Sequence, residues 1–248
     1  MSTYALRFVG QEGLSNRLSD FDLNQFFLLT AADIKAVGAQ FRSDHRAPAA
    51  LMVLYLRAVG RPLDSSTVLP RNLLRYVGET FRTTAPTIAS LRSIYQRSQT
   101  LYIHQLWAKT HLGLKDLDEQ SEAQLVALLK LQAAEASHSD DLATAACHWL
   151  YEHRILIPGP RRVQDWARAA FAATEAEILQ TISKAVPAAT LKSCRESTYR
   201  QRPDGTATHL EWLKTPSRRH GPTSLTEVLE KIRYLKGLTA HEWPLDDI

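Results

Sequence analysis

The stretch "HRAPAALMVLYLRAVGRPLD", residues 45–64, decides the fold. An almost seamless apolar run, Ala47 to Leu56, is bracketed by Arg42, Arg46, Arg57 and Arg61 and holds no catalytic group. Three readings compete: a membrane segment, a core helix, or a core helix whose ends face an anion. A bilayer-spanning helix needs about 20 apolar residues, and this run is about half that. Pro48 suits the first turn of a helix, where its missing N–H is an orphan anyway, and Gly60 suits the left-handed position that ends one. A core helix from about Pro48 to Val59 is therefore expected, and the arginines at its ends remain to be explained.

Working outward, the periodicity is helical almost throughout. "LTAADIKAVGAQF" opens with Thr30 as N-cap and Asp33 three residues on, with Ile34, Val37 and Phe41 on one face. "LPRNLLRYVGETF" is led in by Pro70 and stripes Leu73, Leu74, Val77 and Phe81. "SQTLYIHQLWAKTHLGL" offers Leu101, Ile103, Leu106 and Trp107 before Gly113. "SEAQLVALLKLQAAEAS" is rich in strong helix formers, and "SDDLATAACHWLYEHRI" predicts Ser139 as cap with Asp140 and Asp141 in the first turn. The longest pattern, from "GPRRVQDW", stops before Pro187. "CRESTYRQRPDGTATHLEWLKT" contains a Pro-Asp-Gly turn and predicts a hairpin or irregular loop. "PTSLTEVLEKIRYLKGL" predicts Ser224 as cap, Glu227 in the box, and Leu225, Val228, Leu229, Ile232 and Leu235 on one face. The expected class is all-α.

Charge is distributed unevenly. The net charge is +4. Residues 1–113 hold 13 Lys/Arg against 7 Asp/Glu, residues 114–154 hold 3 against 8, and residues 155–220 hold 11 against 6. Two basic blocks separated by an acidic one predict two helical subdomains with helix-turn-helix-like elements, 1–113 and 155–248, joined by an acidic helical connector, 114–154. An extended anionic partner touched at two places fits that layout, with nucleic acid foremost. Cys147 and Cys194, far apart, make a disulfide framework improbable and read as structural thiols. The start "MSTYALRFVGQEG" lacks an apolar core behind a basic head, so no secretory signal is expected and a cytoplasmic, nucleoid-associated protein is.

Chemistry-bearing motifs are few. No glycine-rich loop ends in Lys-Ser/Thr, and no nucleophile elbow is present. "CHWLYEH" offers Cys147, His148 and His153 but no second ligand pair, so neither metal nor cofactor is expected. Helix capping and a solvated tail account for Asp140/Asp141 and Asp246/Asp247. What remains is the placement of basic residues. Arg42, His45 and Arg46 lead into the opening helix, and Arg61 lies just past its end. Arg71 and Arg75, four apart, share a face; Arg92 and Arg97 extend the basic surface. Arg161 and Arg162 stand at another helix start, and Arg218, Arg219 and His220 precede the last helix. Unpaired N–H groups and the dipole make a helix N-terminus favourable to phosphate, so this recurrence predicts DNA-backbone contacts. A helical interaction or oligomerisation module, packing through the Ala/Leu helices from Glu122 to Val186, is the alternative.

The same residues carry a resemblance. "HRAPAALMVLYLRAVGR", "LPRNLLRYVGETF" and "YQRSQTLYIHQLWAKTHLGL", then "ILIPGPRRVQDWARAAF" and "THLEWLKTPSRRHGPTSLTEVLEKIRYLKGL", resemble in order and spacing the N-terminal region of class II replicative transposases, the type carried by the ampicillin-resistance transposon. His45 stands where that family usually has Asn, Pro48 where it has Gly, and Leu101 where it has a basic residue. The resemblance implies binding of double-stranded DNA at transposon terminal inverted repeats. It also implies a homodimer or the full-length transposase as possible partner. The family's acidic catalytic triad lies in an RNase H-like domain far C-terminal of this region, so strand cleavage is not expected from these residues.

Overall fold

The computed structural model describes residues 6–64, 67–203, 205, 207–216 and 222–238, and among them the chain is all-helical, with twelve α-helices and no strand. It divides into two compact units, Met1–Ala173 and Thr174–Ile248. The boundaries expected at 113 and 154 therefore lie inside the first unit, and its own boundary falls within a helix.

The first unit is built on α3 (Ser43–Val59), against which α1 (Asp20–Phe26), α2 (Ala31–Gln40), α4 (Arg71–Thr80) and α6 (Ser98–His111) pack, with α5 (Ile88–Tyr95) on α6. Every residue of α3 from Ala47 to Leu56 is buried, so the opening stretch is a core helix enclosed on all sides. Each of its Leu, Val and Met side chains contributes about 1.5–3 kcal/mol by leaving water. The helix starts one turn earlier than Pro48 suggests. Arg42 is the N-cap, and Pro48 sits inside the helix, where its ring removes the hydrogen bond to the Asp44 carbonyl. Asp44 is solvent-exposed, so that carbonyl is open to hydration and the proline is tolerated. Gly60, at φ +78°, ends the helix as expected. A Cβ there would also crowd Ile157, 2.6 Å from its Cδ1, so the dihedral demands glycine and the close approach adds to it.

Polar side chains pin the surrounding helices. The Thr30–Asp33 capping box forms as expected. Asp33 and Val37, one turn apart, face the core, which turns Ile34 outward to solvent, against the sequence reading. On α6 the buried line is His104 and Ala108 rather than Ile103 and Leu106, which are exposed. The small Ala108 lets α6 lie close to α3, and His104 is admitted because its ring nitrogens are hydrogen-bonded. Asn72 on α4 accepts from the Leu18 N–H and donates to the Leu18 carbonyl, holding the entry to α1.

A second hydrophobic cluster in this unit gathers Leu125 and Leu129 of α7 (Glu119–Ala133), Leu142, Ala146 and Leu150 of α8 (Ser139–Glu152), and Val163 and Ala167 of α9 (Pro160–Ala185). The cap of α8 is His138, one residue before the expected Ser139; the Asp141 carboxylate accepts from the His138 N–H. Backbone bonds from Gly10 to the Val59 carbonyl and from Ile157 to the Gly60 carbonyl tie the end of α3 to this cluster.

In the second unit, α10 (Ala188–Tyr199) takes the first six residues, 194–199, of the segment expected as a hairpin or irregular loop. Between the helices, Gln201 and Thr208 form one antiparallel bridge, before α11 (His209–Lys214). Trp212 is flanked by Arg202, 4.4 Å from its ring centroid, and by Tyr234 edge-on, while His209 stacks on Tyr234 at 4.4 Å. The last helix, α12 (Pro222–Leu238), begins two residues before Ser224, because proline is well placed in a first turn, so Ser224 is helical rather than the cap. Its apolar face, Leu225, Val228, Leu229, Ile232 and Leu235, is largely exposed.

Candidate nucleic-acid interface

At the start of α3, Arg42, His45 and Arg46 lie within one turn, in the helix N-terminus rather than in a loop before it. Their fates differ. Arg42 is exposed and makes no side-chain bond to described residues. Arg46 turns back instead, donating from Nε to the Phe41 carbonyl at 3.0 Å and from Nη2 to the Gly38 carbonyl at 3.2 Å. It thus caps the carbonyl end of α2, where a cation also suits the dipole. His45 is partly exposed and anchored: its Nδ1 lies 3.2 Å from His104 Nε2, and His104 Nδ1 lies 3.2 Å from the Tyr95 hydroxyl. Tyr95 donates to the Pro48 carbonyl, so its oxygen accepts from His104 Nδ1–H, and His104 Nε2 in turn accepts from His45 Nδ1–H. Burial, and then the charge of His45, hold His104 down at about 4, so it stays a neutral relay. The outer His45 nitrogen is left toward solvent and Asp44, 3.7 Å away.

Beside this turn is a groove of about 440 Å³ lined by Ser43, Asp44, Thr83, Thr87 and Ser90 among others. The N-termini of α3 and α5 both open on it; α5 is capped by the reciprocal Thr87–Ser90 box. Arg82, held at φ +52°, immediately precedes Thr83. On α4, Arg71 and Arg75 are exposed on the face opposite buried Leu73, Leu74 and Val77, as the spacing predicts. Arg92 and Arg97, the latter the N-cap of α6, are exposed as well.

The remaining sites separate from these. Arg61 is buried and reaches Cys147 Sγ at 3.8 Å. At the start of α9, Arg161 is exposed, whereas Arg162 donates to Glu122 at 2.7 Å and lies over the Trp166 ring, whose Nε1–H donates to the same carboxylate. Arg218, Arg219 and His220 lie outside the described residues. Among described residues no three His, Cys, Asp or Glu side chains converge as metal ligands, and no helix is long and apolar enough to cross a membrane. Sequence reasoning missed one network. Asp33, buried beside α3, accepts two bonds from Arg57 at 2.7 and 2.8 Å and one from His111 at 2.8 Å. Burial pushes its carboxyl up, but the bonds from Arg57, His111 and Thr30 prevail and lower it to about 2. In sequence Asp33 reads only as the partner of the Thr30 cap, so its partners Arg57 and His111, 24 and 78 positions away, carry no local signal.

Comparison with known proteins supplies the remaining frame. The chain is 34% identical over 242 residues, 98% of its length, to the transposase for insertion sequence element IS1071 in transposon Tn5271 of Comamonas testosteroni. It is 21% identical over 217 residues, 87% of its length, to the transposase for transposon Tn1546 of Enterococcus faecium. It spans 25% and 22% of those two proteins, about a quarter of each. Residues 12–170 match the family described as "Domain of unknown function (DUF4158)", and the chain belongs to that family, in the N-terminal part of class II transposases that the sequence motifs resembled.

Proposed function

We propose that this chain is the DNA-binding part of a transposase, recognising transposon terminal inverted repeats, with strand cleavage residing outside these residues. The observation that carries the reading is the alignment of nearly the whole chain with a transposase of which it covers a quarter. The exposed cations Arg42, Arg71, Arg75, Arg92 and Arg97 around α3–α6 are the groups available for phosphate, whereas Arg46 and Arg162 serve the fold. In this reading α4, with arginines outward and leucines inward, is the element that approaches the duplex, in the manner of a helix-turn-helix module. His45, anchored from behind by His104, adds a further polar contact.

The test is footprinting with salt-titrated affinity on the parent element's terminal inverted repeat, scrambled DNA as control. Protection with preference over the scrambled duplex, and affinity falling steeply with salt, is the expected result. No binding at low salt would remove the reading. Exposure of Leu131 on α7 and of Ile178 and Leu179 on α9 favours a second one, an interaction module, for which sedimentation would register concentration-dependent self-association without DNA affinity.

A further inference from the structure

Just past the end of α3, a cavity of about 360 Å³ carries a chemical demand that the DNA reading does not use. Its walls come from the N-terminal turn (Gly10, Glu12), from α8 (Cys147, His148), from the first turn of α9 (Gln164) and from Arg61. Arg61 is only 9% exposed, and its Nε and Nη1 are closed to solvent with no acceptor among the described residues. Among the described residues, the one polar contact of its side chain is the long one from Nη2 to the Cys147 sulfur. That sulfur is no counter-ion: burial pushes the thiol pKa up, more than the neighbouring guanidinium pulls it down, so it stays protonated. Glu12 and Asp140 line the cavity without pairing with Arg61, and Arg7, on the same wall, is taken by Asp22 at 2.9 Å. A charge buried without a partner is among the costliest features a fold can carry.

A second orphan faces the same space. Gln164 Oε1 is buried and has no donor among the described residues. The cavity therefore asks for a ligand with negative oxygens for a guanidinium and an O–H for an amide oxygen. Hydrogen phosphate has both; sulfate and carboxylate near neutral pH have no O–H. The N-terminus of α9, opening on the cavity through Pro160, Val163 and Gln164, adds its positive dipole end. A duplex phosphodiester lacks the O–H and is flanked by sugars that cannot follow it to a recessed arginine. We infer that this cavity binds a compact protonated oxyanion of the hydrogen-phosphate class, with Arg61 as its counter-ion and Gln164 accepting its O–H. Bound there, the anion clamps the N-terminal turn to α8 and α9. The inference does not depend on DNA recognition.

The test melts the full chain in inorganic phosphate at pH 7 against sodium chloride of matched ionic strength. A rise of about 3–6 °C is expected at ten times the half-saturating phosphate concentration. Arg61→Met abolishes it while leaving the basal melting temperature unchanged or higher, since an unpaired buried charge is removed. Absence of a phosphate-specific shift, or an equal shift in Arg61→Met, overturns the assignment. A readout independent of that variant is alkylation of Cys147 in a Cys194→Ser background, which phosphate slows at least about 5-fold and sulfate does not. Unchanged alkylation in phosphate, equal protection by sulfate, or equal protection by a short duplex would each sink it.

Discussion

At the residue scale, the buried ionisable groups make the sharpest statements. Asp33 holds Arg57 and His111 from a position with almost no solvent access, and its carboxyl sits at about 2, below the ordinary 3.8. The unfolded chain thus takes up this proton first as pH falls. Stability from Asp33 is complete above about pH 4 and is lost on the way down to about pH 2, to the extent of about 2 kcal/mol. Asp33→Asn is expected to be destabilised at pH 6 by about 2–4 kcal/mol, with the gap to wild type narrowing by about 2 kcal/mol at pH 2–3; urea titrations across that range measure it. His104 has the same sign of dependence at higher pH. Neutral when folded down to about 4, it favours the folded state above the ordinary 6.5 and progressively less below it. His104→Leu should flatten the pH dependence of stability between pH 6.5 and 4 by about 3 kcal/mol, and a series of chemical melts at fixed pH that keeps the wild-type slope would refute the relay. Neither residue announces itself in sequence. An aspartate beside a capping threonine reads as a cap, and a histidine on a helix reads as surface until its partners are known.

Elements show where local rules suffice. The cap at Thr30, the stop at Gly60 and the division of α4 into an arginine face and a leucine face were all legible, because each depends on residues within a turn or two. Glycines separate local from tertiary demand. Gly38 lies inside α2 with open space where a Cβ would go, so Gly38→Ala should raise stability by about 0.5–1 kcal/mol. Gly78, inside α4, would drive a Cβ to 2.6 Å from the Ala85 backbone. Gly78→Ala should therefore lower stability by about 1–3 kcal/mol, and thermal melts of the two variants, moving in opposite directions, decide the matter. Their helical contexts look alike in sequence; only the return of the chain at Ala85 distinguishes them.

For the whole molecule, the consequence of the proposed DNA role is electrostatic. Arg71→Gln with Arg75→Gln removes two exposed charges from a face that packs against nothing described, so stability should hold within about 0.5 kcal/mol. Affinity for the inverted repeat should fall, and the slope of log affinity against log salt should shrink by about 2. Arg46→Gln should act the other way round, costing stability through the carbonyl end of α2 with less effect on the salt slope. Equilibrium unfolding and fluorescence anisotropy on the same three proteins separate the two classes of arginine.

What the amino-acid order determined by itself is the helical class, an enclosed core helix running to Val59 and the membership that its spaced motifs carry, since hydrophobic period, caps and motif spacing are all local in the chain. Which arginines remain available was decided only by tertiary structure. Arg46, Arg57, Arg61 and Arg162 look like Arg71 and Arg75 on paper. The first three are withdrawn by a helix end, a buried aspartate and a cavity, respectively, and Arg162 is ion-paired on the surface with a glutamate 40 positions away. A long, flexible cation takes its role from whichever acceptor folding brings near, and apart from those of Arg46 these partners lie far along the chain.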